Sequence, residues 1–460
     1  MLEQDTIYAL ATPSGSGAIG VIRISGPEAI TICRGIFTGK DLEKQKGQSL
    51  LFGSIQDGDE TIDEVLLSLF KAPHSYTGEH LVEISCHGSP YVLQKLMQLL
   101  MQKGARLANP GEFTMRAFRN GKMDLAQAEA VADLIASESK ASHQLALNQM
   151  RGGFSKQIQA LREELIHFAA MIELELDFVE EDVEFANRDD LKQLVDGLVK
   201  MISELIASFA DGKVIKNGIP VAIVGKPNVG KSTLLNSLLN EDKAIVSDIA
   251  GTTRDSIEDE VKIGGISFRF IDTAGLRETD DVVENIGIQR ALQMVEKALI
   301  VLYLVDAQSA QKSDVAELIK DIEARIADQD KQLIVLANKM DMVEEKDIAP
   351  LFPKHIKPIY ISALNQNGLS QLNSQLEGIA AEKLSSANQV IVSNARHHQA
   401  LQQALEALQR VQDGLSNDIT GDFLAMDIRQ SLHYLGEITG SIEIDRDILG
   451  HIFSSFCIGK

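Results

Sequence analysis

A chain of 460 residues is longer than one hydrophobic core usually supports, so two or three domains are expected. At 44% hydrophobic and 24% charged it reads as soluble and globular, and no apolar run approaches the ~20 residues of a membrane span. A net charge of −22 repels nucleic acid at long range, so any RNA substrate must be held by a local basic patch or a partner protein.

The start, MLEQDTIYAL, has an early acidic pair and no basic n-region, which argues against a secretory signal. Cys33, Cys86 and Cys457 are far apart and odd in number, against a disulfide framework or a zinc site; a cytoplasmic location is expected. Residues 1–120 mix strands with helices. GAIGVIRISG, SLLFGSI, EVLLSLF and HLVEISCHG read as strands, EAITICRGIF and YVLQKLMQLLMQKG as helices. Taken alone, Arg23, Glu83 and Lys122 are scattered charges of the surface type, and His87 in CHGSP reads as a structural histidine.

A Gly/Pro-rich passage, GARLANPGEFTMRAFRNGK, leads into residues 121–215, where the pattern is almost continuously helical through DLAQAEAVADLIASESKASHQLALNQM, IQALREELIHFAAMIELELDF and DDLKQLVDGLVKMISELIASF, with an acidic turn, EEDVEF, before the last. Strands and helices alternate over 216–380. Helices return over 381–460, in ARHHQALQQALEALQRVQ and DFLAMDIRQSLHYLGEITG. An α/β segment between two helical stretches suggests a domain inserted into a discontinuous helical one.

The inserted segment carries the chemistry. GKPNVGKS follows the strand VAIVG and matches the phosphate loop G-x-x-x-x-G-K-[ST], placing Asn228, Val229, Gly230, Lys231, Ser232 and Thr233 against a nucleotide's phosphates. Lys231 neutralises them and Ser232 offers a hydroxyl to Mg²⁺; alone, such a motif also reads as a Gly-rich turn before a helix. Its company decides. Asp272, Thr273, Ala274 and Gly275 follow the strand GISFRFI, Asp272 suiting the Mg²⁺ shell and the Gly275 amide the γ-phosphate. Asn338, Lys339 and Asp341 of NKMD end a third strand, QLIVLA, and Ser362, Ala363 and Leu364 end a fourth, IKPIYI. The Asp341 carboxylate accepts from both N1–H and the exocyclic amine of guanine, a donor pair that adenine lacks. GTP is therefore the expected substrate. Between the first two motifs, Ser247, Asp248, Ile249, Ala250, Gly251, Thr252 and Thr253 form a switch loop, with the Thr253 hydroxyl the second Mg²⁺ ligand.

The residue after D-x-x-G is Leu276, where better-known switches place a water-orienting glutamine. A second cation offers charge compensation instead. Asn228 supplies an amide oxygen and the switch loop supplies carbonyls, a set suited to K⁺, although an Asn here also reads as a loop-stabilising hydrogen-bonder. For the water, RETDDVVE offers Glu278, Asp280, Asp281 and Glu284.

GKPNVGKS, GTTRD, DTAGL and NKMD, together with PGEFTMRAF and the terminal C-x-G-K of FSSFCIGK, resemble the MnmE (TrmE) family of tRNA-modification GTPases over the full length. The resemblance implies a multidomain fold, α/β plus all-α. It has an α/β N-terminal domain like folate-binding domains, a discontinuous helical domain, and a P-loop G domain with a Ras-like doubly wound sheet. It implies K⁺ at Asn228, Ser247, Ile249 and Thr252, pairing of two G domains, and Glu284 beside Lys231 in catalysis. It implies one-carbon tetrahydrofolate (5-formyl or 5,10-methylene) at Arg23, Glu83, Lys122 and Lys460, and homodimerisation through the N-terminal domain. A flavoprotein partner like MnmG (GidA) would act with it to add an aminomethyl-type group to C5 of the wobble uridine of certain tRNAs. Cys457 reads either as a nucleophile toward C6 of a pyrimidine or as a lining residue of the folate pocket. A ribosome-assembly GTPase would need a basic RNA-binding appendage, and an iron-transport GTPase transmembrane helices; neither shows in the sequence.

Overall fold

The structure, a computed structural model, describes residues 5–177, 188–243, 259–271, 293–327, 331–386, 390–417, 419–441, 449, 452–453, 456–457 and 459. The chain divides into two compact units, one of residues 1–132, 149–195 and 403–460, the other of 133–148 and 196–402.

The first unit holds a seven-stranded sheet: β1 (Ile7–Leu10), β2 (Ile19–Ser25), β3 (Phe37–Thr38), β4 (Ser49–Asp57), β5 (Glu60–Phe70), β6 (Leu81–His87) and β7 (Arg106–Leu107). Their order is β3-β4-β5-β6-β2-β1-β7, every pair antiparallel except β1–β7. Period-two alternation sends Ile22, Ile24, Leu67, Leu69, Val82 and Ile84 to one face, where α1 (Ala29–Arg34) and α2 (Pro90–Gln102) cover them. In α2 the covering residues Leu93, Leu96 and Leu100 recur at helical spacing. The opposite face leaves Leu50, Phe52 and Leu66 exposed. The helix expected in EAITICRGIF stops at Arg34, because Phe37 is drawn into the core as the start of β3. The Gly/Pro-rich passage contains a helix of its own, α3 (Glu112–Arg119). Its first carboxylate accepts from the Asn109 N–H and from both Arg106 and Arg116.

Helices follow: α4 (Leu125–Ala136), α5 (Lys140–Met150), α6 (Gly153–Asp177) and α7 (Arg188–Ala207), then, late in the chain, α13 (Ala395–Ser416) and α14 (Gly421–Thr439). Asp124 and Gln127 cap α4 reciprocally, each side chain accepting the other's N–H. The run expected to be nearly continuous breaks after Ala136. Ser139 restarts it by accepting the Ser142 N–H at 3.1 Å. EEDVEF lies outside the described residues. In the first unit α14 packs along α6, and Leu449, Phe453 and Phe456 of the chain's end bury against Leu125 and Ala128.

The second unit holds α8 (Phe209–Asn217) and a six-stranded sheet: β8 (Ile219–Val224), β9 (Asp259–Ile263), β10 (Ile266–Phe270), β11 (Ile300–Asp306), β12 (Gln332–Asn338) and β13 (Ile359–Tyr360). The order is β13-β12-β11-β8-β10-β9, parallel except for the β9 edge. Its central strands are nearly continuous apolar runs because both faces are covered. Val221 and Ile223 point to the side of α8, α9 (Lys231–Lys243) and α12 (Leu369–Ser386). Ala222 and Val224 point to the side of α10 (Lys312–Ile326) and α11 (Glu345–Ile348). Strand order reverses at β8, so a ligand crevice is expected beyond its carboxyl end. Among the described residues no helix is long and apolar enough to cross a membrane.

Candidate functional site: the phosphate loop and the chain terminus

Five strands of the second sheet run parallel, and the phosphate loop, NKMD and SAL follow the carboxyl ends of three of them, β8, β12 and β13. β8 runs into the phosphate loop, whose Lys231 opens α9. The Lys231 ammonium donates to the carbonyls of Gly225 at 2.8 Å and Lys226 at 2.9 Å. Burial lowers its pKa below the usual lysine value, so a negative partner would be welcomed. An ammonium has three donors, and two are spent on the loop. Ser232 is exposed in the first turn of α9, whose backbone N–H groups favour an anion. Gly230, at φ +99°, leaves its α-carbon bare because a Cβ would meet Asn338 Nδ2 at 2.4 Å. That nitrogen is spoken for: Asn338 is buried, donates to Val229 O at 2.8 Å and accepts from Ala363 N–H at 2.9 Å. One amide therefore ties the phosphate loop to the SAL segment.

The residues expected to recognise guanine lie alongside. Ser362 Oγ donates to Asp341 Oδ1 at 2.6 Å, fixing an otherwise exposed carboxylate. Leu364 is 78% exposed, an apolar surface beside that carboxylate's partner. Lys339 adopts φ +66° and its ammonium donates to Asp306 Oδ2 at 2.7 Å. Ser237 on α9 was not anticipated; its buried hydroxyl reaches the carbonyls of Thr233 and Ala363, each at 2.9 Å. No signal in the sequence couples Ser237 to a residue 126 positions away.

The donor set suits the expected cations. Among the described residues no cluster of His, Cys, Asp or Glu holds a metal unaided. A divalent ion beside Ser232 would thus draw most of its oxygens from phosphate and water, as Mg²⁺ does. Asn228 is exposed at φ +62°, and its side chain makes no hydrogen bond among the described residues, leaving an amide oxygen available. Ser247, Asp248, Ile249, Ala250, Gly251, Thr252, Thr253, Asp272, Thr273, Ala274, Gly275, Leu276 and Glu284 lie outside the described residues.

A second cluster forms in the first unit. Arg23 on β2 faces Glu83 on β6 in register and donates to it at 2.9 Å through Nε. Its Nη1 donates to Gly459 O at 3.3 Å, a contact spanning 436 positions. The guanidinium lies 5.4 Å from the Tyr76 ring centre and 5.7 Å from that of Phe113, rings that no sequence motif marks. Lys122 is exposed and donates to Pro73 O at 3.1 Å, at the far end of the loop that carries Tyr76. Cys457 is exposed, and its carbonyl accepts from Gly111 N–H at 3.4 Å. Gly459 has φ +97°, and a Cβ there would meet Leu10 O at 2.4 Å, so the terminal segment docks where only glycine fits. Lys460 lies outside the described residues.

Residues 6–122 match the family model described as GTP-binding protein TrmE N-terminus, and residues 125–457 the one described as MnmE helical domain. The chain is 55% identical over 470 aligned positions to the tRNA modification GTPase MnmE of Bacteroides thetaiotaomicron, covering 100% of both chains. Against the protein of the same name from Christiangramia forsetii it is 54% identical over 473 positions, covering 99% of each. For Flavobacterium psychrophilum the figures are 54% over 465 positions and 100% of each chain.

Proposed function

The chain belongs to the MnmE family of tRNA modification GTPases, and from that premise we propose that it hydrolyses GTP in a potassium-dependent cycle that drives modification of the wobble uridine. It is a GTP hydrolase acting in tRNA modification. The observation that carries the cation reading is Asn228, an asparagine set in the phosphate loop at φ +62° with its amide uncommitted. Asn228, Ser247, Ile249 and Thr252 would hold K⁺, and the ion would supply positive charge to compensate that developing in the transition state. Ser232 and Thr253 would hold Mg²⁺. Glu284 orients the attacking water, which explains why Leu276 suffices at the glutamine position.

The proposed division of the chain rests on the changes of sequence pattern and on the family resemblance. Residues 1–120 form the dimerisation and folate domain, 121–215 and 381–460 the helical domain, and 216–380 the G domain. Arg23, Glu83, Lys122 and Lys460 bind the one-carbon tetrahydrofolate: the carboxylate pairs with the pterin's guanidine-like edge, the cations with the glutamate tail. The exposed sheet face of Leu50, Phe52 and Leu66 seats the homodimer, with Phe52 directly opposite Leu66 across β4 and β5. A flavoprotein of the MnmG (GidA) type holds much of the tRNA, consistent with a chain at −22. Together they add an aminomethyl-type group at C5 of uridine 34.

Turnover at saturating GTP is expected to be at least ~10-fold faster in potassium than in sodium salts, since one positioned charge at the transition state is worth that and more. Asn228→Ala should bring the two salts level. Equal rates for the unaltered protein in both salts would remove the ion from the mechanism. Gly459→Ala should displace the terminal segment from Leu10 and release folate from the purified protein while leaving GTP turnover intact. Undiminished folate in that variant would place the ligand elsewhere.

A further inference from the structure

Asp306 is the last residue of β11, on the same sheet edge as the phosphate loop, and no motif marks it. Its side chain is 12% exposed: Oδ1 accepts from Gln308 N–H at 2.9 Å, Oδ2 accepts from the Lys339 ammonium at 2.7 Å, and the Ser309 side chain also hydrogen-bonds to it. Its register partner is Asn338, immediately before that lysine, and Ala307 N–H donates to Asn338 O at 3.0 Å. The β11–β12 pairing thus holds the carboxylate opposite the NKMD turn. Burial alone would raise the Asp306 pKa, but hydrogen bonds from Lys339 and from Gln308 N–H bring it below the usual carboxylate value. The group is an anion throughout the physiological range.

Lys339 is the residue this anion disciplines. A non-glycine residue at φ +66° is held there by its surroundings, and a free lysine stem has several rotamers to lose. With its ammonium anchored, the four methylenes are stretched between the NKMD turn and the end of β11. Lys339 is two residues before Asp341, whose carboxylate Ser362 holds by a hydrogen bond at 2.6 Å, so an anchored stem has an apolar length to offer to the base that pair is expected to read. We propose that Asp306 is a positioning residue for the nucleotide, holding Lys339 extended so that its stem forms one wall of the purine pocket. The inference rests on the guanine reading of NKMD. It gives Asp306 no contact with phosphate, water or base.

Asp306→Asn isolates the effect, because it removes the charge and, with the oxygen kept on Gln308 N–H, turns an NH₂ donor toward the ammonium in place of Oδ2. The variant should bind GDP about 10-fold more weakly, mainly through faster release, the scale of losing one partly screened charged hydrogen bond. Maximal GTP turnover should stay within about twofold while KM rises. In a Lys339→Met background the same substitution should change GDP affinity less than about twofold, because the group it positions is gone. Unchanged GDP affinity in Asp306→Asn overturns the proposal, as does an equal loss with and without Lys339. Lowered maximal turnover at unchanged KM also overturns it. Failure of the guanine reading would show separately, as Asp341→Asn leaving the base preference unaltered.

Discussion

Replacing Asp341 by Asn is expected to turn the site from guanine to xanthine nucleotides. An ionised carboxylate only accepts, and guanine's N1–H and exocyclic amine only donate, so the two edges match. Ser362 Oγ donates to Oδ1 at 2.6 Å and holds the carboxylate in one orientation without supplying a competing base contact. The amide of the variant presents one acceptor and one donor. Guanine's amine then faces an N–H, and a buried polar pair goes unsatisfied; xanthine has a carbonyl at that position and restores the match. Sites that read a polar edge reject the wrong one by ~10³-fold or more, so GDP affinity should fall by about that factor while XDP gains. Asp341 is exposed, so the fold should be untouched. Titration with fluorescent GDP and XDP checks it; a variant still preferring GDP would mean that this carboxylate does not read the base.

Asp341 was legible in the sequence because its chemistry is local: a strand, a turn and a carboxylate within a few residues. The same holds for GKPNVGKS, where the Lys231 ammonium binds the Gly225 and Lys226 carbonyls of its own loop. What the sequence hid are pairings set by tertiary register. Asp306 meets Lys339 across 33 positions because β11 and β12 run parallel with Asp306 opposite Asn338. Ser237 meets Ala363 only once α9 lies against the end of β13. In the first unit Arg23 and Glu83 read as scattered surface charges, yet adjacent antiparallel strands make them partners. Nothing in GARLANPGEFTMRAFRNGK advertised a helix, since its Gly and Pro residues flank α3 and its N-cap, Gly111, offers no side-chain acceptor. Residue type announced the nucleotide chemistry; register assembled the supports around it.

Lys231→Ala should remove hydrolysis almost entirely, and the reason lies in the loop's own hydrogen bonds. The ammonium is held by the carbonyls of Gly225 and Lys226, so two of its three protons stabilise the curl of the loop and one remains for phosphate. Its partial burial makes the lone cation costly until a phosphate arrives, and that cost is recovered on binding. With Leu276 at the glutamine position, charge compensation carries more of the rate than in a switch with a built-in amide. Removing this cation should therefore lower single-turnover hydrolysis by ~10³-fold, the upper range for one oxyanion-stabilising group. Lys231→Arg should not rescue it, because a planar fork cannot reproduce two contacts to adjacent carbonyls and still point one donor into the loop. Folate retention, proposed to rest on Arg23 and Glu83 in the other unit, should be unaffected in both variants. If Lys231→Ala hydrolyses GTP within tenfold of the unaltered protein, the transition-state charge is borne by another group, and K⁺ at Asn228 becomes the first to test.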